Sequence, residues 1–200
     1  MKILGAVTVL VVGALLWLAV PAMAHHTDQD DPRDTPGKLD LRTVAFDHDG
    51  TPTWRFVTFG RWTVQQLWDQ GFLMVQLDTK GGSGIDYVLV VRSTGTQLQA
   101  NLFRLRPDGR EVKIERLRTH KAGSRAAWVA LKLSKVVIGA HRTSYFWSAM
   151  SSFIGTACHQ TCFDTVPDDG MVEQTLSTSP TPSTTPTPTT TTTSASGPTG

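Results

Sequence analysis

Short apolar runs recur through the middle of the chain at a spacing of roughly ten residues, separated by glycine, proline and aspartate. Trp54 and Phe56 share one face of an extended segment, as in a strand with one buried side. Phe72–Leu77 and Tyr87–Val91 are nearly continuous apolar runs, which is typical of strands buried on both faces. The pattern predicts an all-β domain over residues 37–176, an antiparallel, jelly-roll-like two-sheet β-sandwich of about eight strands.

The segment Leu98–Arg118 carries the strongest local signal for a β-hairpin. Asp108–Gly109 suits a two-residue turn, whose backbone requires positive φ angles. That turn places Leu105 opposite Val112 and separates apolar from charged side chains on the two faces of the hairpin. Leu102 has the opposite phase from Leu105, and a β-bulge near Leu102 reconciles the two.

Both ends of the chain depart from this pattern. Ile3–Val20 has no charged residue and is followed by the small-x-small pattern Ala22-Met23-Ala24, which predicts a cleavable signal peptide over residues 1–24. The run is also close to the length of a transmembrane helix, so a retained anchor is the alternative. Residues 25–36 are acidic and interrupted by proline, residues 177–200 are rich in Ser, Thr and Pro, and both are predicted to be disordered. We therefore expect a secreted, extracellular protein, or one associated with the cell surface.

The charge balance limits the partners of the protein. Nineteen basic and seventeen acidic residues give a formal net charge of +2 at pH 7. This balance excludes a strongly basic nucleic-acid-binding protein. We expect no nucleic-acid partner, a monomer, and contact with a membrane only if residues 1–24 are retained.

The chain has two cysteines, Cys158 and Cys162, which flank His159. In an exported protein such a pair is expected to form a disulfide. A metal site that combines both thiolates with His159 or His141 is the alternative, although such zinc sites usually need a fourth ligand and reduced cysteines.

Two sets of residues are candidates for ligand binding. Trp62 and Trp68 lie in an irregular segment, where an exposed indole ring can stack against a sugar. Arg104 and Arg106 open a basic stretch that extends to Arg125 and is suited to an anionic polymer such as an acidic glycan. Burial of the tryptophans in the core and simple solvation of the arginines are the alternatives.

Two acidic loops are candidates for a structural calcium ion. Asp47 and Asp49 lie in one loop and Asp164 and Asp168 in another, each followed by a glycine that permits a turn. Calcium prefers carboxylate oxygens, but neither loop has the complete pattern of an EF-hand. Asp-Gly turns also form without an ion. Calcium is the cofactor that these loops suggest.

Copper is a second metal to consider. A chain cleaved after Ala24 begins with His25, whose amine and imidazole nitrogens together suit copper. A copper-dependent oxidative enzyme would need a further histidine on the opposite side, from His48, His120 or His141. The acidic, proline-containing segment that follows indicates a flexible N-terminus instead, and a flexible N-terminus does not preorganise a copper site.

The sequence lacks the motifs of several enzyme classes. It contains no G-x-S-x-G, no H-E-x-x-H and no glycine-rich phosphate loop. A glycosidase needs two carboxylates at a set separation across a cleft, and the sequence singles out no such pair. We therefore expect a protein without catalytic activity.

Four segments carry a resemblance to a known group: Gly37–Arg42, Phe72–Asp78, Tyr87–Val91 and Cys158–Pro167. They resemble secreted Gram-positive bacterial proteins of uncharacterised function, whose layout is similar to family 9 carbohydrate-binding modules and DOMON-type domains. The resemblance implies a jelly-roll-like sandwich over Asp31–Leu176, often with a structural calcium, and a binding role without catalysis. It assigns no ligand residue, since a shared fold does not fix a site.

These observations together predict a non-catalytic extracellular binding module on a flexible Ser/Thr/Pro tail. We expect its ligand to be a carbohydrate or a cell-wall polymer. A structural or protein-interaction domain displayed at the cell envelope is the first alternative, and a copper-dependent oxidative enzyme that uses His25 is the second.

Overall fold

The computed structural model describes residues 26–48, 51–82 and 84–176. The predicted signal peptide over residues 1–24 and the predicted disordered tail over residues 177–200 lie outside the described residues. Within the described part of the chain, no helix has the length and apolar character needed to cross a membrane.

Eleven β-strands, one α-helix and a short 3₁₀ helix make up the described residues. In chain order the elements are β1 (His26–Asp30), β2 (Leu41–Asp47), β3 (Thr53–Thr58), α1 (Val64–Gln70), β4 (Gly71–Asp78), β5 (Tyr87–Ser93), β6 (Leu98–Leu105), β7 (Glu111–Ala122), β8 (Ala126–Ala130), the 3₁₀ helix (Leu133–Lys135), β9 (Ser144–Gly155), β10 (Cys158–Val166) and β11 (Val172–Thr175).

The strands form one antiparallel sheet that coils until its two ends nearly meet. The strand order is β1-β2-β3-β8-β7-β6-β5-β4-β9-β10, and β11 pairs with the start of β9. In β7, residues 111–117 pair with β6, whereas residues 118–122 pair with β8. Half A consists of β1, β2, β3, β8 and residues 118–122 of β7. Half B consists of residues 111–117 of β7 together with β6, β5, β4, β9, β10 and β11. The two ends of the sheet approach each other where the Leu41 N–H donates to Asp164 Oδ2 at 2.5 Å, and we call this line of approach the seam.

The prediction of an antiparallel all-β fold is confirmed, but the prediction of two separate sheets with about eight strands is wrong. The halves are continuous because β7 is long enough to pair with both of them. The prediction that residues 25–36 are disordered is wrong for His26–Asp30, which pair with β2 as an edge strand. An edge strand needs only its backbone bonds, and charged side chains protect its free edge from further pairing.

The predicted β6–β7 hairpin forms, but its register differs from the prediction. Arg106 accepts from the N–H of Gly109 and donates to the carbonyl of Arg110, so the loop is longer than two residues. Pro107 suits the second position of a type I turn, and only Gly109 needs a positive φ, which is 79°. As a result Leu105 lies opposite Glu111 and not Val112. The predicted bulge is confirmed by a register shift after Leu102.

The core lies between the two halves and contains an aromatic cluster from both of them. The Phe46 ring of half A lies 4.7 Å from the Trp54 ring and 6.1 Å from the Trp147 ring of half B, measured between centroids. Tyr145 meets Phe46 edge-on at 6.4 Å. All four side chains are fully buried, so this cluster packs the two halves together.

Candidate functional site

The outer face of half A carries ordered rows of side chains, because strand pairing aligns residues of neighbouring strands on one face. The central row crosses five strands. In the order β1, β2, β3, β8, β7, it consists of Asp28, Ala45, Arg55, Trp128 and His120. We call it the Trp128 row.

A second row lies beside it on the same face. In the same strand order, it consists of His26, Asp47, Thr53, Ala130 and Arg118, and we call it the Arg118 row. In the Arg118 row, the short side chains Thr53 and Ala130 lie between polar side chains at the two ends, whereas in the Trp128 row Ala45 is short and Arg55 is long. The face therefore has the shape of a trough.

The trough is an open groove of about 600 Å³. Its floor consists of small or β-branched side chains: Thr43, Ala45, Thr53, Val57 and Ala130. Polar side chains from β1 and the end of β2 form one wall, and side chains from β7 and β8 form the other. The volume falls within the range of roughly 300–1,000 Å³ that is usual for small-ligand sites.

Trp128 is held in place at the β7–β8 wall. Its indole Nε1–H donates to Nε2 of His120, and the two rings meet edge-on with centroids 3.8 Å apart. The indole is partly exposed and lines the groove. A fixed, partly exposed indole provides an apolar surface without losing much conformational entropy on binding.

The charges in the groove are balanced in sign and separated in space. Asp28 and Asp47 lie on the β1–β2 side, whereas Arg55 and Arg118 lie on β3 and β7. His26 Nε2 is 3.1 Å from Asp28 Oδ1, and both side chains are about half exposed. The two aspartates and the two arginines sum to no net charge, so the groove offers donors and acceptors without a dominant sign.

The sequence-predicted tryptophans differ in their placement. Trp62 is 3% exposed, with Nζ of Lys121 4.1 Å from its ring centroid, so it cannot provide the exposed surface that the prediction required. Trp68 is 55% exposed on α1, as the prediction required, but it lies outside the groove. Its proposed contact with a sugar stays a prediction.

The sequence-predicted arginines also lie outside the groove. Arg104 and Arg106 are exposed at the end of the β6–β7 hairpin. Arg118, from the same basic stretch, is the residue that lines the groove. The structure therefore separates the predicted tryptophan and arginine candidates from the site that it forms.

The sequence analysis missed most of the groove residues, and for Trp128 a signal was present. Ala127 and Val129 are fully buried in β8. Because successive residues of a strand point to opposite faces, Trp128 must lie on the outer face. Reading the alternation through Val129 back to Trp128 would have identified it.

A second candidate site is a group of four aspartates at the seam, which we call the aspartate cluster. Asp31, Asp34, Asp40 and Asp164 each provide a carboxylate oxygen, and these oxygens lie within 4.8 Å of one another. Three of the four side chains are buried and that of Asp34 is exposed. Oδ2 of Asp31 is buried and has no hydrogen-bond partner among the described residues.

The carboxylates of the cluster disfavour one another's charge. Burial raises the pKa of Asp31 to about 7, and the nearby charges of Asp164, Asp168, Asp34 and Asp40 add to this effect. Burial also raises the pKa of Asp164 to about 6, with further contributions from Asp40 and Asp34. The pKa of Asp40 is raised as well, chiefly by burial.

Only part of this negative charge is compensated by the described neighbours. Asp164 accepts hydrogen bonds from the Leu41 N–H and, at 3.3 Å, from Thr35 Oγ1. The Arg33 Nε atom is 3.7 Å from Asp40 Oδ2. Because the Arg33 side chain is largely exposed, solvent weakens this ion pair. The cluster is therefore a mostly buried acidic site whose neighbouring cationic side chain, Arg33, interacts with it only weakly.

The predicted calcium residues are distributed over separate places. Asp164 belongs to the aspartate cluster, whereas Asp168 is exposed and lies outside it, although its charge raises the pKa of Asp31. Asp47 lines the groove, and Asp49 lies outside the described residues. The two predicted loops therefore do not provide the residues of one site, apart from Asp164.

The predicted disulfide between Cys158 and Cys162 forms within β10. Both sulfurs are therefore unavailable as thiolate ligands for a metal. His25 lies outside the described residues, so the copper hypothesis is untested. Within residues 26–48, 51–82 and 84–176, the aspartate cluster is the one group of three or more His, Cys, Asp or Glu side chains arranged to hold a metal ion.

No family model, curated protein or solved structure matches this chain. The resemblance to carbohydrate-binding modules and DOMON-type domains therefore stays a prediction. The groove and the aspartate cluster are the observations on which functional proposals can rest.

Proposed function

We propose that this protein is an exported, non-catalytic module that binds a neutral saccharide in the groove on half A. The observation that carries the proposal is the groove itself, in which the Trp128 indole and several hydrogen-bonding groups surround a floor of small or β-branched side chains. A sugar ring needs this combination, because its C–H faces are apolar and its edge is surrounded by hydroxyl groups.

The arrangement of polar groups favours a saccharide over a purely apolar ligand. Asp28 and Asp47 can accept hydrogen bonds from hydroxyl groups, whereas Arg55 and Arg118 can donate to them. Asp28 on β1 and Arg118 on β7 lie on opposite sides of a floor whose residues come from β2, β3 and β8, and Arg55 lies on β3 within that width. A ligand seated on the floor can therefore be bound from both sides.

The balance of charge favours a neutral saccharide over a strongly anionic polymer. Two carboxylates and two guanidinium groups line the groove. An anionic polymer would gain from the arginines but would be repelled by the aspartates. The basic residues Arg104 and Arg106, which were predicted to bind such a polymer, are exposed elsewhere on the molecule.

The groove is better suited to binding than to catalysis. The His26–Asp28 pair is about half exposed on both sides and solvated. Acid–base groups in active sites are more often desolvated, so that their pKa values match the reaction. We therefore propose that the groove holds its ligand and does not transform it.

Export is supported by the sequence and is compatible with the disulfide. The charge-free run Ile3–Val20 and the small-x-small pattern Ala22-Met23-Ala24 have the layout of a signal peptide. The Cys158–Cys162 disulfide would persist outside the reducing cytoplasm. We propose that the Ser/Thr/Pro segment over residues 177–200 acts as a flexible stalk.

The proposal is tested by titrating the purified full chain with a panel of neutral oligosaccharides and one acidic polysaccharide. We expect binding to neutral members and a loss of affinity of about tenfold or more in Trp128→Ala, the equivalent of about 1.4 kcal/mol. Trp68→Ala is the matched control, because it removes an exposed indole outside the groove.

Three results would contradict the proposal. Trp128→Ala binding as tightly as the wild type would exclude the groove, and a loss confined to Trp68→Ala would move the site to α1. Absence of binding across the whole panel would favour the alternative of a protein-interaction domain. That alternative has its own support in the exposed apolar side chains of Trp68 and Phe163, which are 55% and 57% exposed.

A further inference from the structure

We infer that the aspartate cluster binds one Ca²⁺ ion, which joins the two ends of the sheet across the seam. The inference is independent of the proposed function, because the cluster shares no residue with the groove. It starts from geometry. Asp31 and Asp34 follow β1, Asp40 directly precedes β2, and Asp164 lies in β10.

The strongest indication is a carboxylate oxygen without a partner. Asp31 is 7% exposed, and its Oδ2 atom is buried with no hydrogen-bond partner among the described residues. Burying an ionised carboxylate is costly unless it is paired or coordinates a metal. Because one carboxylate oxygen of Asp31 lies within 4.8 Å of oxygens of the other three residues, a cation among them would compensate the charge of the Asp31 carboxylate.

The neighbouring groups compensate only part of the negative charge of the cluster. The Arg33 guanidinium lies 3.7 Å from Asp40 and reaches the cluster from solvent. Asp164 has two hydrogen bonds, from Leu41 and Thr35, and these are neutral donors. A divalent cation would offset half of the formal charge of four carboxylates, which neutral donors cannot do.

The ligand set favours calcium over other divalent ions. Calcium takes oxygens at roughly 2.3–2.6 Å, so ligands on opposite sides lie about 5 Å apart, which accommodates oxygens within 4.8 Å of one another. Magnesium needs opposite oxygens about 4.2 Å apart and usually keeps several waters. Zinc prefers histidine and cysteine, and the cluster contains neither.

The consequence for the fold is a cross-link between segments that are distant in sequence. Asp164 and Leu41 are 123 residues apart, and in the described structure they are joined by one hydrogen bond at the seam. A bound ion would add ligands from both sides of the same line. We therefore expect calcium to stabilise the coiled sheet.

The test uses the purified full chain, stripped with EDTA and titrated with CaCl₂ or MgCl₂. We expect the melting temperature to rise by about 5–10 °C when Ca²⁺ exceeds its Kd about a hundredfold. Titration calorimetry should give one Ca²⁺ per chain, and MgCl₂ should give a smaller thermal shift.

Two variants and one control distinguish a calcium site from simple charge repulsion. Asp31→Asn and Asp164→Asn should lose most of the Ca²⁺-induced shift, yet in EDTA they should melt no lower than the wild type, because each removes a repelling charge. Asn can still accept the hydrogen bond from Leu41 at position 164. Asp69→Asn on α1 makes the same charge change at an exposed site and should keep the full shift.

The inference is overturned if Ca²⁺ leaves the melting temperature of the wild type unchanged, or if both variants keep the full shift. It is also overturned if Asp69→Asn loses the shift as well, because the effect would then be non-specific. The inference is likewise overturned if calorimetry shows undiminished Ca²⁺ binding in both Asp31→Asn and Asp164→Asn. None of these results bears on saccharide binding, which the Trp128→Ala titration tests separately.

Discussion

Replacing Phe46 by alanine tests whether the two halves of the sheet are packed together as described. Phe46 lies on β2 of half A, is fully buried, and contacts the aromatic rings of Trp147 and Tyr145 on β9 of half B. Its own half contributes Trp54, whose ring is nearest at 4.7 Å. Phe46→Ala would therefore open a cavity between the halves.

The size of the effect follows from burial and contacts. Truncating a buried phenylalanine to alanine typically lowers the free energy of unfolding by about 3–5 kcal/mol, because the cavity does not fully collapse. We take about 4 kcal/mol for Phe46→Ala. This figure already includes the lost ring pairs with Trp54, Trp147 and Tyr145, each of which contributes about 0.5–1.5 kcal/mol beyond the loss of buried area. For a domain of this size, the melting temperature should fall by roughly 10–15 °C.

The measurement is urea unfolding followed by circular dichroism, with equal m-values as the check that the denatured states are alike. Phe163→Ala is the matched control, because Phe163 is 57% exposed on β10 and its loss should cost less than about 1 kcal/mol. If Phe46→Ala costs no more than Phe163→Ala, the aromatic cluster does not hold the halves together and the packing described above is wrong.

Two further predictions concern the seam and the β4–β9 pair. In EDTA, we expect the free energy of unfolding to fall by about 2 kcal/mol as the pH rises from about 4 to 7. The reason is that folded Asp31, whose pKa is raised to about 7, keeps its proton where the unfolded chain has lost it, and Asp164 acts in the same direction. Urea unfolding across this pH range measures the trend, and Asp31→Asn should remove most of it. A free energy of unfolding that rises between about pH 4 and 7 would contradict the prediction. Asp86 does not affect this range, because its lowered pKa changes stability only at lower pH. Gly71→Ala should cost about 3 kcal/mol, because the added Cβ would lie 2.0 Å from the Ser152 carbonyl oxygen, whereas Gly82→Ala, with open space around it, should change the melting temperature little.

The strands of the core could be predicted because their signal is local. The run Phe72–Leu77 lies within β4 and Tyr87–Val91 within β5, as the apolar pattern indicated. Strand β1 gave no such signal, because its side chains are polar and its pairing partner is the edge of β2. The coiling of the sheet was also out of reach, since it depends on β7 pairing with two different strands.

The hairpin shows how a local rule can give the wrong register. Asp108–Gly109 favours a two-residue turn when it is considered alone. Pro107 before it suits a type I turn, so the loop extends by one residue and only Gly109 has a positive φ. A shift of one residue exchanges the faces of the strand, and this explains why Arg104, and not Leu105, lies opposite Val112.

The candidate sites were predictable only in part. Asp164 was identified from its own loop, but its partners Asp31 and Asp34 lie in a segment that composition assigned to disorder. Their proximity depends on a contact across 123 residues, which no local pattern encodes. Trp128, by contrast, was accessible from the alternation of β8, because Ala127 and Val129 identify the buried face.

Strand β1 runs from the wall of the groove to the seam. This strand has five residues and polar side chains, so it gains little from burial and depends on its backbone bonds to β2. The next residue, Asp31, continues the pairing by donating its N–H to the carbonyl of Arg42 at 2.9 Å, and its carboxylate belongs to the aspartate cluster. An ion that fixes Asp31 would therefore also anchor the end of β1, which positions His26 and Asp28 at the wall of the groove. The backbone bonds to β2 already hold β1, and an ion in the aspartate cluster would add a second point of attachment at the end of the strand.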